Sequence, residues 1–224
     1  MKTLPKDEPP TTLIAGASPA MLAITSELIR QNQRVILFFR TKERLQEMLS
    51  DTSWDKASML PLVASVTDGK AVIRAFEKII EWTLRLDSLI YNVGIEPDEG
   101  SEDFSGAQLV RIMGQNFYGF VNCFSLALPI FKRVGRGHAV VICGAAALAL
   151  DKQPAAYAAS RAALQIYLRA LRRELEEEKV VVTEMYLGHT PTVRGPRRLS
   201  QREIVQGILQ VLRSRPTKFV IGVS

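Results

Sequence analysis

Seven short apolar runs, most of them rich in β-branched residues, alternate along the chain with longer amphipathic ones, and this alternation restricts the fold more than any single motif does. The expected strands are TLIAG from Thr12, RVILFF at Arg34–Phe39, MLPLVAS around Leu62, LDSLIYN ending at Asn92, HAVVIC at His138–Cys143, VVVTEMYL at Val180–Leu187 and KFVIG at Lys218–Gly222. Between them the periodicity predicts helices over Ala20–Gln31, Thr41–Leu49, Asp68–Thr83, Leu109–Lys132, Pro154–Glu178 and Ser200–Ser214. Strands that are apolar on both faces and joined by such helices require a parallel sheet covered on both sides. The expected class is therefore α/β, a doubly wound parallel sheet of about seven strands, with its ligand crevice at the carboxyl ends where strand order reverses.

With 224 residues, 47% of them hydrophobic, the chain can build one sizeable core. We expect a disordered, charged and proline-rich lead-in over residues 1–10 and one domain over 11–224. The lead-in has no apolar stretch of a signal peptide, and no run reaches the roughly 18 residues of a membrane span. Cys123 and Cys143 lie in apolar runs without metal-ligand or disulfide spacing, which fits a reducing, cytoplasmic setting and no metal. The net charge of +6 favours anionic partners, but acids and bases are interspersed and no aromatic residues interleave the basic positions, which argues against nucleic acid.

Ordered landmarks give the chain a family resemblance. AGASPAML (Ala15–Leu22), YNVG (Tyr91–Gly94), Asn116 in GQNFYGF, VVICGAA on the fifth strand, YAASR (Tyr157–Arg161) and YLGHTPT (Tyr186–Thr192) follow one another in the order and spacing of the short-chain dehydrogenase/reductase motifs. The chain resembles that family, with its Rossmann-type fold, from Thr12 to about Gly222. The resemblance implies a nicotinamide dinucleotide held by Gly16, Ser18, Ala20, Arg40, Ser65, Val66, Asn92, Gly94, Gly188 and Thr192. Phe39 occupies or adjoins the position where an acid would hold the 2′-hydroxyl of NAD, and Arg40, which follows at once, favours NADP.

The departures from the pattern carry functional information. In the phosphate-binding turn only Gly16 of three glycines is kept; Ala20 and Leu22 replace the others, and Pro19 removes a backbone donor. Leu22 either presses on the phosphates or, with Met21, fills core space. Among the implied catalytic residues Tyr157 is the acid/base and Asn116 its support, Arg161 stands in place of the lysine, and Gly144 stands in place of the serine. Residues at i and i+4 share a helix face, so Arg161 is expected beside Tyr157, where a cation favours the phenolate. Guanidinium, unlike ammonium, is permanently protonated. Tyr157 can also be a packing residue, Asn116 a backbone anchor, and His189 with Thr190 a substitute for the serine hydroxyl.

Two functional classes follow. One is an NADP(H)-preferring oxidoreductase of carbonyls or alcohols with an impaired catalytic set. The other is an inactive relative serving as nucleotide sensor or oligomeric scaffold, or as a subunit completing its site with a catalytic paralogue. The apolar helices around 109–132 and 154–178 imply a homodimer or homotetramer. The loop between Thr192 and Ser200 is too short for the usual lid, and its Arg194, Arg197 and Arg198 are candidates to hold an anion.

Overall fold

The computed structural model describes residues 8–50, 55, 57–95, 105–188 and 199–222. Strands β1 (Thr11–Ala15), β2 (Arg34–Phe39), β3 (Met59–Val63), β4 (Ser88–Tyr91), β5 (Gly137–Gly144), β6 (Val180–Leu187) and β7 (Lys218–Ile221) form one parallel sheet in the order β3-β2-β1-β4-β5-β6-β7. The order reverses between β1 and β4, so the loops leaving these two strands diverge and open a crevice at their carboxyl ends.

Helices α1 (Pro19–Arg30), α2 (Lys42–Leu49), α3 (Gly69–Trp82), α4 (Gly106–Met113), α5 (Gly119–Val134), α6 (Ala155–Glu174) and α7 (Gln201–Ser214) cover both faces. Alternate residues of one strand feed opposite layers: Leu13 and Ala15 of β1 meet the core under α3, α5 and α6, while Ile14 meets the core under α1 and α7. Capping side chains fix several starts. Ser18, Thr41, Asp68, Ser105 and Ser200 each accept a hydrogen bond from a backbone N–H in the first turn, and Ser200 with Glu203 forms a reciprocal box.

Two expectations need correction. The helix expected over Leu109–Lys132 is two helices joined by a wide, π-helical turn at Gly114–Tyr118. The reason is tertiary, since Asn116 inside the turn bonds a neighbouring loop. The lead-in is also tied down at its end: Arg34 N donates to Pro10 O at 2.9 Å, and Glu8 accepts from Arg34 Nη1 at 2.9 Å and from Thr83 Oγ1 at 2.5 Å. Among the described residues no helix is long and apolar enough to cross a membrane, and no cluster of His, Cys, Asp or Glu could hold a metal.

Candidate active site

The crevice begins at the turn after β1. Gly16 has φ +100°, and a Cβ there would collide with the Asn92 carbonyl and the Val93 side chain, so only glycine lets the two diverging loops approach this closely. Asn92 secures the junction, its Nδ2 donating to Gly16 O at 3.3 Å and to Ser18 Oγ at 3.4 Å. The turn has few free donors for a phosphate. Pro19 has none, Ala17 N donates to Phe38 O at 3.2 Å, and Met21 N donates to Ser18 Oγ at 3.3 Å. Met21 is buried, and Ala20 and Leu22 pack partly buried on the core beneath α1. These side chains thus fill core space, and Ala20 does not reach the pocket that opens next to the turn.

That pocket, about 90 Å³, is lined by Gly16, Arg40, Ser65 and Val66 together with Phe38, Ala64, Thr67, Val93 and Gln115. Four of the residues implied to bind a dinucleotide therefore meet here. Phe39 is fully buried and turns into the core, leaving exposed Arg40 as the charged group at the end of β2. Ser65 and Thr67 share a 3.0 Å hydroxyl–hydroxyl hydrogen bond at the mouth. Thr67 and Gln115 escaped the sequence reading. Thr67 lies two residues beyond Ser65 in the same SVT run, a spacing that could have suggested it, whereas Gln115 is brought in by the wide turn.

A second cluster lies deeper. Arg161 is 5% exposed, its guanidinium carbon 5.3 Å from the centroid of the Tyr157 ring. It lies directly on Gly94, where a Cβ would run into its Nη2, and its Nη1 is 3.9 Å from Cys143 Sγ. Burial opposes its charge, yet Cys143 and Tyr157 beside it hold its pKa above the ordinary arginine value. Among the described residues it faces no carboxylate, and its Nε has no hydrogen-bond partner. Burial pushes the Cys143 thiol up in spite of Arg161. Tyr157 is 1% exposed.

Asn116 does not bond the Tyr157 side chain. Its Oδ1 accepts from Ile95 N at 2.8 Å, and its Nδ2 donates to Ile95 O at 2.9 Å and to Ser160 Oγ at 3.0 Å. Ser160 Oγ in turn donates to Tyr157 O at 2.8 Å. Asn116 therefore holds the loop after β4 against α6 and connects to Tyr157 through backbone. Tyr91 donates its hydroxyl to the Gln115 carbonyl, bracing the same turn from the sheet. Gly144 closes β5 with φ −69° and ψ 152°, extended backbone that a serine would also accept. Gly188 donates to Ile221 O at 2.8 Å and lies against Gly222, a packing position within the β6–β7 pair and outside the pocket. Thr192, His189, Thr190, Arg194, Arg197 and Arg198 lie outside the described residues.

Comparison with known proteins supplies the context. A family model described as short chain dehydrogenase matches residues 11–202. An uncharacterized oxidoreductase of Staphylococcus haemolyticus is 24% identical over 208 residues, covering 89% of both chains. A fatty acyl-CoA reductase of Acinetobacter baylyi is 29% identical over 194 residues, covering 82% of this chain and 62% of that one. A short chain dehydrogenase from Burkholderia cenocepacia, solved in complex with NADP, superposes with a TM-score of 0.77 at 22% identity over 96% of this chain and 89% of that one. A short-chain dehydrogenase from Streptomyces avermitilis does so with 0.78 at 18% identity over the same shares. At these identities the structural likeness concerns the fold.

Proposed function

Because the chain belongs to the short chain dehydrogenase family, we propose that it is an NADP(H)-preferring oxidoreductase of carbonyls or alcohols, with a catalytic set weakened at Gly144 and Arg161. The observation that carries this reading is the pocket where Gly16, Arg40, Ser65 and Val66 meet. Among the described residues no carboxylate lines it to accept a 2′-hydroxyl, whereas Arg40 offers a guanidinium to a 2′-phosphate. Gly16, which lets the loops after β1 and β4 close together at the pocket's edge, supports the fit of a dinucleotide at this end. The fit is tighter at the turn, where a pyrophosphate must draw Met21 N from the Ser18 hydroxyl.

When bound, the dinucleotide supplies or accepts the hydride. The chain's own residues handle the proton and the positioning. Tyr157 is the proton donor to the substrate oxygen, Arg161 supplies the neighbouring charge, and Asn116 fixes the loop beneath them. Glycine at 144 leaves the substrate oxygen without a second hydroxyl donor, an omission that costs roughly a hundred- to a thousandfold in rate. Exposed Leu109, Val110, Tyr118 and Ile166 support assembly into a homodimer or homotetramer through the helices around 109–132 and 154–178. The two free, buried cysteines fit a cytoplasmic setting.

Calorimetric titration tests the reading. NADPH should bind in the micromolar range and at least tenfold more tightly than NADH, and Arg40→Glu should reverse the preference. Absence of binding at millimolar NADPH overturns it. A second reading, a nucleotide-binding protein without turnover, is favoured by the burial of Tyr157 and Arg161. Gly144→Ser separates the two: restored hydroxyl chemistry should raise carbonyl reduction in an oxidoreductase and leave a sensor silent.

A further inference from the structure

On the edge of the molecule away from the crevice, a groove of about 540 Å³ runs between α6, the segment after β5 and the start of β7. We propose that it binds a small carboxylate carrying a short apolar tail. Its volume lies within the range of metabolite-sized sites.

The floor is built and fully engaged. Arg172 donates to Val182 O at 2.8 Å, to Glu184 Oε1 at 2.8 Å and to Thr217 O at 3.0 Å, tying β6 to the start of β7. Tyr186 donates its hydroxyl to the other Glu184 oxygen, and Gln165 Nε2 donates to Tyr186 at 3.1 Å and to Ala147 O at 2.8 Å. One chain of hydrogen bonds thus crosses the groove from β7 to the segment after β5. Glu184 and Tyr186, 7% and 2% exposed, are neutralised or satisfied within it and have no charge to spare.

The walls have charge to spare. Arg169 from α6 and Lys218 from β7 line the groove and make no ion pair among the described residues; Lys218 is held over the Tyr186 ring at 5.1 Å. Asp151 lines it too, likewise without an ion pair there. With Arg172 and Glu184 cancelling, the groove keeps one positive charge in excess, which matches a monoanion better than a phosphate dianion. A guanidinium takes a carboxylate through two parallel hydrogen bonds. Leu148, 39% exposed although large and apolar, and Leu150 provide the wall for the tail.

The probe is hexanoate, titrated calorimetrically into the full chain at constant ionic strength. We expect saturable binding, at least tenfold tighter than acetate because each buried methylene adds about fourfold. Arg169→Ala with Lys218→Ala should weaken it at least tenfold, whereas Arg213→Ala, removing an exposed cation of α7 elsewhere, should not. Equal binding by the double variant, no binding by the wild type at 50 mM, or tighter binding of inorganic phosphate would each overturn the proposal. So would a change of oligomeric state in the double variant without any hexanoate binding, which would make this edge an interface between copies.

Discussion

At the amino ends of the strands, Asp87 accepts hydrogen bonds from Arg85 Nε at 2.7 Å, Arg136 Nη2 at 3.0 Å and Thr11 N at 3.0 Å, while Glu8 is held by Arg34 and Thr83. At the carboxyl ends Arg161 is at least as enclosed, yet it faces a thiol, an aromatic ring and a glycine. The first arrangement returns most of what desolvation costs. Although burial alone would push Asp87 up, the donors around it, Arg85 foremost, hold its pKa below the usual carboxylate value. The second meets its buried charge without a carboxylate among the described residues: burial opposes the charge, and Cys143 and Tyr157 hold its pKa above the ordinary arginine value. The sheet is thus braced by ion pairs at one end, and around Arg161 by a thiol and an aromatic ring at the other.

The network at the amino ends depends most on Asp87. Asp87→Ala leaves Arg85 and the Thr11 N–H without their acceptor, and should lower unfolding free energy by about 3–5 kcal/mol, the range for a broken buried pair, measured by urea denaturation. A loss below about 1 kcal/mol would mean that the amino-end network braces nothing.

A pH titration sharpens the same end. His138 is buried, its Nε2 2.9 Å from Thr183 Oγ1, and Thr183 gives its own proton to the Pro216 carbonyl, so the imidazole must be the donor. Burial and then Arg215 bring its pKa down to about 3. Its folded value lies below its unfolded value of 6.5, so below pH 6.5 the unfolded chain binds the extra proton. Its stabilising contribution is complete above that pH and should fall by about 1.4 kcal/mol per unit as the pH drops toward 3. Denaturation midpoints of the wild type and His138→Gln from pH 7.5 to 4.5 should diverge in slope accordingly; parallel slopes would disprove the assignment.

The smallest effect belongs to the carboxyl end. Arg161→Met removes the buried guanidinium from the Tyr157 ring and from Cys143 and leaves no carboxylate unpaired among the described residues, so it should lower stability by only about 1 kcal/mol. The same substitution should weaken NADPH binding, measured by calorimetry. A loss of several kcal/mol instead would place Arg161 among the braces and erase the contrast between the two ends.

How much of this was legible in the sequence depends on how local the cause is. Helix starts at Thr41, Asp68 and Ser200 could be placed to within a residue because the cap is the neighbouring side chain. The strands read correctly because burial on both faces leaves near-continuous apolar runs. Arg40 and Ser65 could be nominated from motif order, but their meeting with Phe38 and Gln115 depends on the stagger of β2 against β3 and on the wide turn. Likewise the i,i+4 rule placed Arg161 beside Tyr157, yet its rest on Gly94 follows from the β4 loop lying under α6, which no local pattern encodes. Asn116 was nominated for chemistry, while its hydrogen bonds are those of an anchor between that loop and the helix.

The wide turn around Asn116 also settles a question of phase. From Gln108 to Phe124 the buried side chains Gln108, Ile112, Asn116, Phe120 and Phe124 form a series spaced every four residues, with Gly119 and Cys123 buried beside its last two members. An ideal helix, with its 3.6-residue period, would carry such a series steadily around its axis and away from the sheet. The π-helical turn absorbs the surplus residue, and α4 and α5 keep a common inward side. Deleting one residue at this point would regularise the backbone and swing one half of the rod relative to the other, so the irregularity works as a vernier that keeps two rigid segments in step.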